Sequence, residues 1–253
     1  MRQRWSETIK GHLRPLLYRT FYRGKPAYEC PICGYCGPFK DKRVSRTPDV
    51  VRADAKCVQC GAVERHRIQY LVFGEVLPSW GAAQKKILHL APEFCLRPQL
   101  SRLFGTYHTA DLFRTDVDFK EDIQRMSFPD GSYDCVVVSR IFPDIPQLEP
   151  AVRELRRILK PGGLAFIAED YIGEKTEEFS PKRGERARAL GLDALGLYAR
   201  YFARVDRFLS NRYDPKYQLF DCMRVNGQVM DDYPEVVRAK GVGCMELVAV
   251  CQA

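Results

Sequence analysis

Four cysteines stand in two Cys-x-x-Cys pairs, Cys30-Pro-Ile-Cys33 and Cys57-Val-Gln-Cys60, each followed by a glycine. A two-residue gap lets both thiolates of a pair hold one ion, and the glycine eases the tight turn that closes the knuckle. Two knuckles together supply the four-sulfur tetrahedron that zinc prefers. Such a closed set leaves no position for substrate or water, so one structural zinc ion is expected. Cys36, beside the first knuckle, is an alternative to Cys33, but the paired glycines favour Cys30, Cys33, Cys57 and Cys60 as the ligands. A redox pair is the competing use of the motif, and its duplication argues against it. The remaining cysteines of the ten are scattered, which suits a reducing compartment better than a disulfide framework.

A second chemistry centres on carboxylates. The run Ile87-Leu-His-Leu-Ala-Pro-Glu93 ends in a turn, and about twenty residues later comes Ala110-Asp111-Leu112. A strand, a turn, a helix and a second strand closing on an acidic residue are the parts of a βαβ nucleotide-binding unit, whose carboxylate takes a ribose hydroxyl pair. The plainer use of Asp111 is as a turn or helix-cap residue. Ligands of open α/β sheets sit beyond the carboxyl ends of the strands. Asp170 and Tyr171, after the run Leu164 to Ala168, are therefore placed to face an acceptor, although both also suit a cap or a surface.

The run Asp122-Ile123, then Phe128 to Asp134, then Cys135-Val-Val-Val-Ser139, then Arg153 to Gly163 and Leu164 to Ala168, follows at even spacing. Over about residues 85 to 170 this order resembles the class I S-adenosylmethionine-dependent methyltransferases. It is most similar to a bacterial branch with a His-Leu-Ala-Pro-Glu first motif behind a four-cysteine ribbon. The resemblance implies a Rossmann-like, doubly wound α/β fold with a mostly parallel seven-stranded sheet. It implies S-adenosylmethionine as cofactor, released as S-adenosylhomocysteine. On that pattern His89, Leu90, Ala91, Pro92 and Glu93 form the first cofactor motif, and Asp111 and Leu112 meet the ribose. Asp122 accepts the adenine amino group, Ile123 covers the ring, and Ser139 and Arg140, at the end of the central strand, complete the cofactor-binding set.

This chain departs from the family at three points. His89 stands at the acidic position of the first motif, Ala91-Pro92-Glu93 replaces the glycine-rich turn, and Pro143-Asp144 stands where the branch has a Glu-His pair. The last change removes the obvious general base and leaves Asp144 and Asp170 as the catalytic candidates. A Glu-Arg-His-Arg run like Glu64 to Arg67 occurs in the same place in the branch. His66 is accordingly a candidate substrate contact, with a polar network at the ribbon interface as its alternative.

The elements that must position these residues divide the chain into three parts. Residues 1–27 place Trp5, Ile9, Leu13, Leu16, Leu17 and Phe21 at helical intervals among basic residues, which predicts an amphipathic helix interrupted near Pro15. It would lie on a membrane surface, on its own domain or on a partner subunit. Residues 28–70 form the ribbon, and 71–253 the Rossmann-like domain. A helix is expected from Glu64 to Val76, a linker over Pro78 to Gln84, a helix from Phe94 to Phe104 stopped by Gly105, and another from Glu149 to Leu159. Tyr133 to Ser139 reads as the central strand, buried on both faces. Residues 172–216 would form a lid or cover, charged and mobile from Gly173 to Arg188 and an apolar helix from Ala189 to Leu209. That helix would serve as a lid, as a homodimer contact or as the ordinary cover of the sheet. Strands are expected at Tyr217 to Met223 and Met245 to Cys251, with a helix over Pro234 to Lys240.

Residues 1–67 carry 15 Lys+Arg against 6 Asp+Glu, or +9, whereas residues 68–253 carry 25 against 26, or −1. The basic excess thus precedes the catalytic region, as in a contact with nucleic acid, an anionic surface or an acidic substrate, or simply in a well-solvated face. No apolar stretch approaches the ~18 residues of a transmembrane span, and the first residues lack the apolar segment of a signal peptide, so a cytoplasmic protein is expected. Three functions fit. The first is methyl transfer to a small-molecule or sugar-linked metabolite. The second is methylation of RNA or protein docked through the ribbon and the basic N-terminal segment. The third is a non-catalytic scaffold that kept the fold.

Overall fold

The computed structural model describes residues 15–44, 49–180 and 186–253. Most of the helix expected over 1–27 lies outside the described residues; within them, 15–21 are helical. The strands in chain order are β1 (Tyr28–Glu29), β2 (Cys36–Gly37), β3 (Lys40–Arg43), β4 (Val50–Lys56), β5 (Lys86–Leu90), β6 (Thr106–Ala110), β7 (Tyr133–Ser139), β8 (Leu159–Glu169), β9 (Glu177–Glu178), β10 (Arg188–Ala189), β11 (Arg204–Leu209), β12 (Phe220–Asp221), β13 (Met223–Val225), β14 (Gln228–Val229), β15 (Arg238–Ala239), β16 (Gly243–Met245) and β17 (Leu247–Gln252). The helices are α1 (Glu64–Trp80), α2 (Arg97–Leu103), α3 (Leu148–Ile158) and α4 (Ala194–Tyr201).

The chain forms two compact units. One contains the residues up to Leu71 together with Ser210–Asp232 and Arg238–Glu246, and the other contains Val72–Leu209, Tyr233–Val237 and Leu247–Ala253.

The second unit is built on one sheet in the order β11-β17-β8-β7-β5-β6. The β6, β5, β7 and β8 ladders are parallel, and β17 runs antiparallel between β8 and β11. Val136, Val137 and Val138 on β7 and Phe166 and Ile167 on β8 are fully buried, because a parallel strand covered on both faces has no solvent side. Phe73 packs edge-to-face on Phe166, with ring centroids 4.9 Å apart. The α3 stripe of Ala151, Val152, Leu155 and Ile158 is buried, as the helical spacing requires. Six strands are present among the described residues where seven were expected. At the β6 edge a single parallel bridge joins Ala110 to Phe119.

The region after β8 corrects the expected pattern. The helix anticipated over Ala189 to Leu209 is confined to α4. At Phe202 the backbone turns extended, and Arg204–Leu209 becomes the edge strand β11, with Phe208 opposite Val248. Over Gly173 to Arg188, β9 and β10 pair as a short ladder. The strand expected at Tyr217 to Met223 is the short β12, with Met223 opening β13, and the last strand of the large sheet starts only at Leu247. A single 3-10 turn, Glu235–Val237, and β15 replace the helix expected over Pro234 to Lys240. Pro78 lies inside the last part of α1, and a turn over Ala82–Gln84 follows, so the linker is mostly helical.

The first unit is larger than the ribbon read from residues 28–70. Its sheet runs β14-β13-β4-β3, and β13 pairs antiparallel with β4, Met223 opposite Arg52. Residues from both ends of the chain therefore share one sheet. Two buried guanidinium groups bind these segments. Arg52 pairs with Glu64 and Asp221 at 2.9 Å each and lies 3.7 Å from Glu246. Arg67 donates through Nη1 to the carbonyls of Ala55 (2.9 Å) and Ala62 (3.0 Å), and through Nε to Gln218 (3.2 Å). Ala55 and Ala62 flank the second knuckle, so one side chain holds both of its ends.

Candidate functional site

In the second unit a cavity of about 430 Å³ opens at the carboxyl ends of β5, β6 and β7. Of the expected cofactor residues it is lined by Leu90, Ala91, Asp111, Leu112, Asp122, Ile123 and Arg140. Sequence reasoning missed Phe113, Glu121, Gln124, Ile141, Ile145 and Pro146, which also line it. Their signal was proximity to Asp111, Asp122 and Arg140, since a loop that brings one side chain to a cavity brings its neighbours too.

Two walls are made by backbone in an unusual state. Ala91, after β5, has φ 44°, and Arg140, after β7, has φ 55°. The left-handed region costs a residue with a Cβ roughly 1–2 kcal/mol and is accepted where the surroundings enforce it. Ala91 thus makes without glycine the turn for which related chains use glycine. Its N–H donates to Ala110 O at 2.8 Å, tying the end of β5 to the end of β6.

His89, Pro92, Glu93 and Ser139 do not line the cavity, which corrects their expected place. His89 is fully buried, and its two ring nitrogens meet Glu93 Oε2 and Tyr107 Oη, each at 2.9 Å. The two polar residues of the His-Leu-Ala-Pro-Glu motif therefore brace one another across the turn. The Pro92 carbonyl accepts from Arg114 at 2.6 Å, and Ser139 is buried within the end of β7. The physical reason is alternation. Neighbouring residues on a strand face opposite sides, and a tight turn can show only part of its surface to one cavity.

Asp111 accepts the Phe113 and Arg114 N–H groups at 2.7 and 2.9 Å, both on Oδ1. Asp111 thus serves as a turn residue and also lines the cavity. Asp122 Oδ1 accepts from Gln124 N at 2.9 Å. Asp144 lines the cavity, whereas Asp170 forms an ion pair with Arg140. Tyr171 is 2% exposed, with its hydroxyl 3.4 Å from that of Tyr198, so it faces the protein interior and not an acceptor. His66 lies in the first unit, where its Nδ1 accepts from Val63 N at 3.3 Å and caps the start of α1.

Glu169, at the end of β8, is the main side chain that sequence reasoning passed over. It is 1% exposed, and its Oε1 accepts the N–H groups of Ile141 (2.9 Å) and Phe142 (3.2 Å). Burial pushes its carboxyl up to about 7, against the opposing pull of those two N–H groups and of Arg140. The run into which it falls is apolar, which conceals a carboxylate that holds a loop.

In the first unit the Sγ atoms of Cys30, Cys33, Cys57 and Cys60 all lie within 4.8 Å of one another. Cys30 and Cys60 are 3.6 Å apart, and Cys33 and Cys57 are 3.7 Å apart. Four sulfurs around a zinc ion at ~2.3 Å would be separated by roughly 3.8 Å. Cys36 is exposed and outside the group.

Residues 100–167 match the protein family described as Methyltransferase domain. Two solved structures share the architecture at a TM-score of 0.50. One is a chain of the complex between the Haloferax volcanii Trm112 methyltransferase activator and a methyltransferase, 19% identical, with 75% of this chain and 90% of that one covered. The other is Burkholderia thailandensis 1,6-didemethyltoxoflavin-N1-methyltransferase with bound 1,6-didemethyltoxoflavin and S-adenosylhomocysteine, 10% identical, with 75% and 77% covered. The fold is the Rossmann-like, mostly parallel α/β fold that these methyltransferases share. Among curated proteins, the sterol 24-C-methyltransferase of Yarrowia lipolytica is 35% identical over 63 residues, 25% of this chain and 16% of that protein. The matched stretches span between 2% and 22% of the curated relatives' lengths. No helix among the described residues is long and apolar enough to cross a membrane.

The raised Glu169 carboxyl fixes the sign of a pH effect. Between its ordinary value and about 7 the folded state keeps a proton that the unfolded chain has released, so this group's contribution to stability falls as pH rises through that window. Glu169→Gln keeps an oxygen for the two N–H groups and cannot titrate. Urea unfolding at pH 5 and 7.5 should show the variant's stability difference between the two pH values shifted from wild type by about 2–3 kcal/mol, in the direction of relatively greater stability at pH 7.5. An identical difference in both proteins would mean that Glu169 ionises normally.

Proposed function

We propose that the protein is an S-adenosylmethionine-dependent methyltransferase whose cofactor occupies the cavity between Ala91, Asp111, Asp122 and Arg140, acting on a small-molecule or sugar-linked acceptor. The observation that carries this reading is the meeting of Asp111 and Asp122 at one cavity on the carboxyl edge of a parallel sheet, next to the two left-handed turns. Asp111 Oδ2 would accept from a ribose hydroxyl while Oδ1 keeps its turn, Asp122 would meet the adenine amino group, and Ile123 would cover the ring. His89 and Glu93 brace the Ala91 turn from behind. When bound, the cofactor supplies an electrophilic methyl carbon, so the protein's work is mainly to align an acceptor with it and exclude water. Asp144, at the cavity, would take the proton of an acceptor hydroxyl or amine. Asp170 serves that role less well because Arg140 holds it.

Calorimetry with S-adenosylhomocysteine tests the reading. Wild type should bind, and Asp111→Asn, which preserves the turn but puts an amide donor where a hydroxyl needs an acceptor, should bind roughly ten- to a hundredfold more weakly. Absence of binding by wild type at millimolar ligand would sink the enzyme reading and favour the scaffold.

The four thiols are proposed to hold one structural zinc ion, with Arg67 fixing the second knuckle around it. Metal analysis of the purified protein should give about one zinc per chain, and Cys57→Ser should lose it together with thermal stability. A fully folded wild type that carries no metal and gains no stability from added zinc would overturn this assignment.

One observation favours the alternative in which the acceptor is RNA. A cavity of about 920 Å³ in the first unit is lined by Lys40, Lys42, Arg43 and Lys56, and its lining carboxylate Asp41 is held by Lys25 at 2.6 Å. Affinity for a single-stranded oligoribonucleotide, measured from 50 to 200 mM salt, should then fall steeply, roughly tenfold or more for a few phosphate contacts. No detectable binding at the lowest salt would remove this alternative.

A further inference from the structure

We infer that Arg188, which does not touch the cavity, is the positioning residue for the cavity wall formed by the loop after β7; the inference rests on the cofactor reading of that cavity. The loop supplies Ile141, Asp144, Ile145 and Pro146 to the lining. It is short, and its buried carbonyls need donors.

Arg188 supplies them. Its Nη1 donates to Phe142 O at 2.5 Å and to Ile145 O at 2.7 Å, and its Nη2 to Pro146 O at 3.0 Å. The side chain is 1% exposed. A buried guanidinium is tolerated only when its donors are matched, and the planar fork fixes the three carbonyls relative to one another in a way that an ammonium cannot reproduce. The next residue back continues the clamp, since Ala187 N–H donates to Pro143 O at 2.7 Å. From the opposite side Glu169 accepts the Ile141 and Phe142 N–H groups. The wall of the cavity is therefore gripped by a carboxylate on its amides and a guanidinium on its carbonyls.

The strap that carries Arg188 is itself fastened. Thr176 donates through its N–H and Oγ1 to Asp193 Oδ1 at 2.9 and 2.7 Å, and Gly191 N–H donates to Thr176 Oγ1 at 3.0 Å. A Cβ at Gly191 would fall 2.2 Å from the Lys175 carbonyl carbon, so the two arms of the strap meet where only glycine fits. The Arg188 Nε also pairs with Glu178 at 2.8 Å, but that carboxylate is largely exposed and the pair contributes little. The carbonyl bonds carry the role.

Arg188→Lys keeps the charge and loses the fork, and Glu178→Gln removes only the exposed ion pair. Two readouts are taken on folded protein: hydrogen exchange of the amides over 140–147, with those of β7 and β8 as internal reference, and calorimetric affinity for S-adenosylhomocysteine. Arg188→Lys should exchange at least tenfold faster in 140–147 alone and bind at least tenfold more weakly, while Glu178→Gln stays within about twofold of wild type in both. Wild-type exchange and wild-type affinity in folded Arg188→Lys overturn the inference, as does acceleration spread evenly through the sheet. Should Arg188→Lys not fold, Arg188→Gln is read in the same way, and failure of both to fold overturns it in favour of a purely structural role. If wild type itself binds no S-adenosylhomocysteine, the cofactor reading fails, and the exchange result still decides whether Arg188 holds the loop.

Discussion

The backbone after β5 and after β7 turns left-handed at Ala91 and Arg140, residues whose Cβ makes that conformation costly, and the surrounding side chains are arranged to hold it. Around Ala91 the bond to Ala110 O, the His89–Glu93 contact and the grip of Arg114 on Pro92 O converge on five residues of chain, His89 to Glu93. Around Arg140 the constraint comes from Glu169 on two amides, from the Arg140–Asp170 ion pair and from Arg188 on three carbonyls. A strained turn kept by several independent bonds gives a cavity wall that is set before any ligand arrives. That preorganisation spares binding the cost of ordering the wall.

The same economy of means recurs in the first unit. Arg52 gathers Glu64, Asp221 and Glu246 in the interior, and burial pushes the Glu64 carboxyl up to about 7 despite the opposing Arg52 charge. Arg67 closes the second knuckle by its flanking carbonyls. Buried ion pairs of this kind add little net stability over a packed apolar core, because desolvation offsets the attraction. What they add is registry, since a buried guanidinium held by several partners, as Arg67 is by three carbonyls, tolerates one arrangement of strands and no neighbouring one. In both units the arginines that matter most structurally are fully or nearly buried, while the cationic side chains of Lys40, Lys42 and Arg43 remain at the surface.

Much of the fold was legible because local patterns carry it. The unbroken apolar run of β7, the helical stripe of α3 and the turn-bounded β5 and β6 each state their own conformation. Asp111 was legible for the same reason, since it directly follows β6, whereas Asp122 lies in the loop between β6 and β7 and was legible only through the family resemblance. The first motif was legible only as a place. That His89 and Glu93 face each other and not the cavity depends on Tyr107 and Arg114, which come from another strand and another loop. The region after β8 misled because Leu192, Leu195, Tyr198 and Phe202 do follow a helical period, and nothing local says that the period stops at Phe202 to feed an edge strand.

By itself the sequence determined the two knuckles, the parallel sheet and the Asp111 carboxylate at its edge, because each is written in residue type and short spacing. Tertiary structure alone decided that residues near 220 and 245 join the N-terminal unit, that Glu169 serves a loop, and that Arg188 reaches back more than forty residues to a cavity wall. The physical reason is that a hydrogen bond across such a separation depends on where two segments arrive in space, and neither segment alone encodes the position of the other.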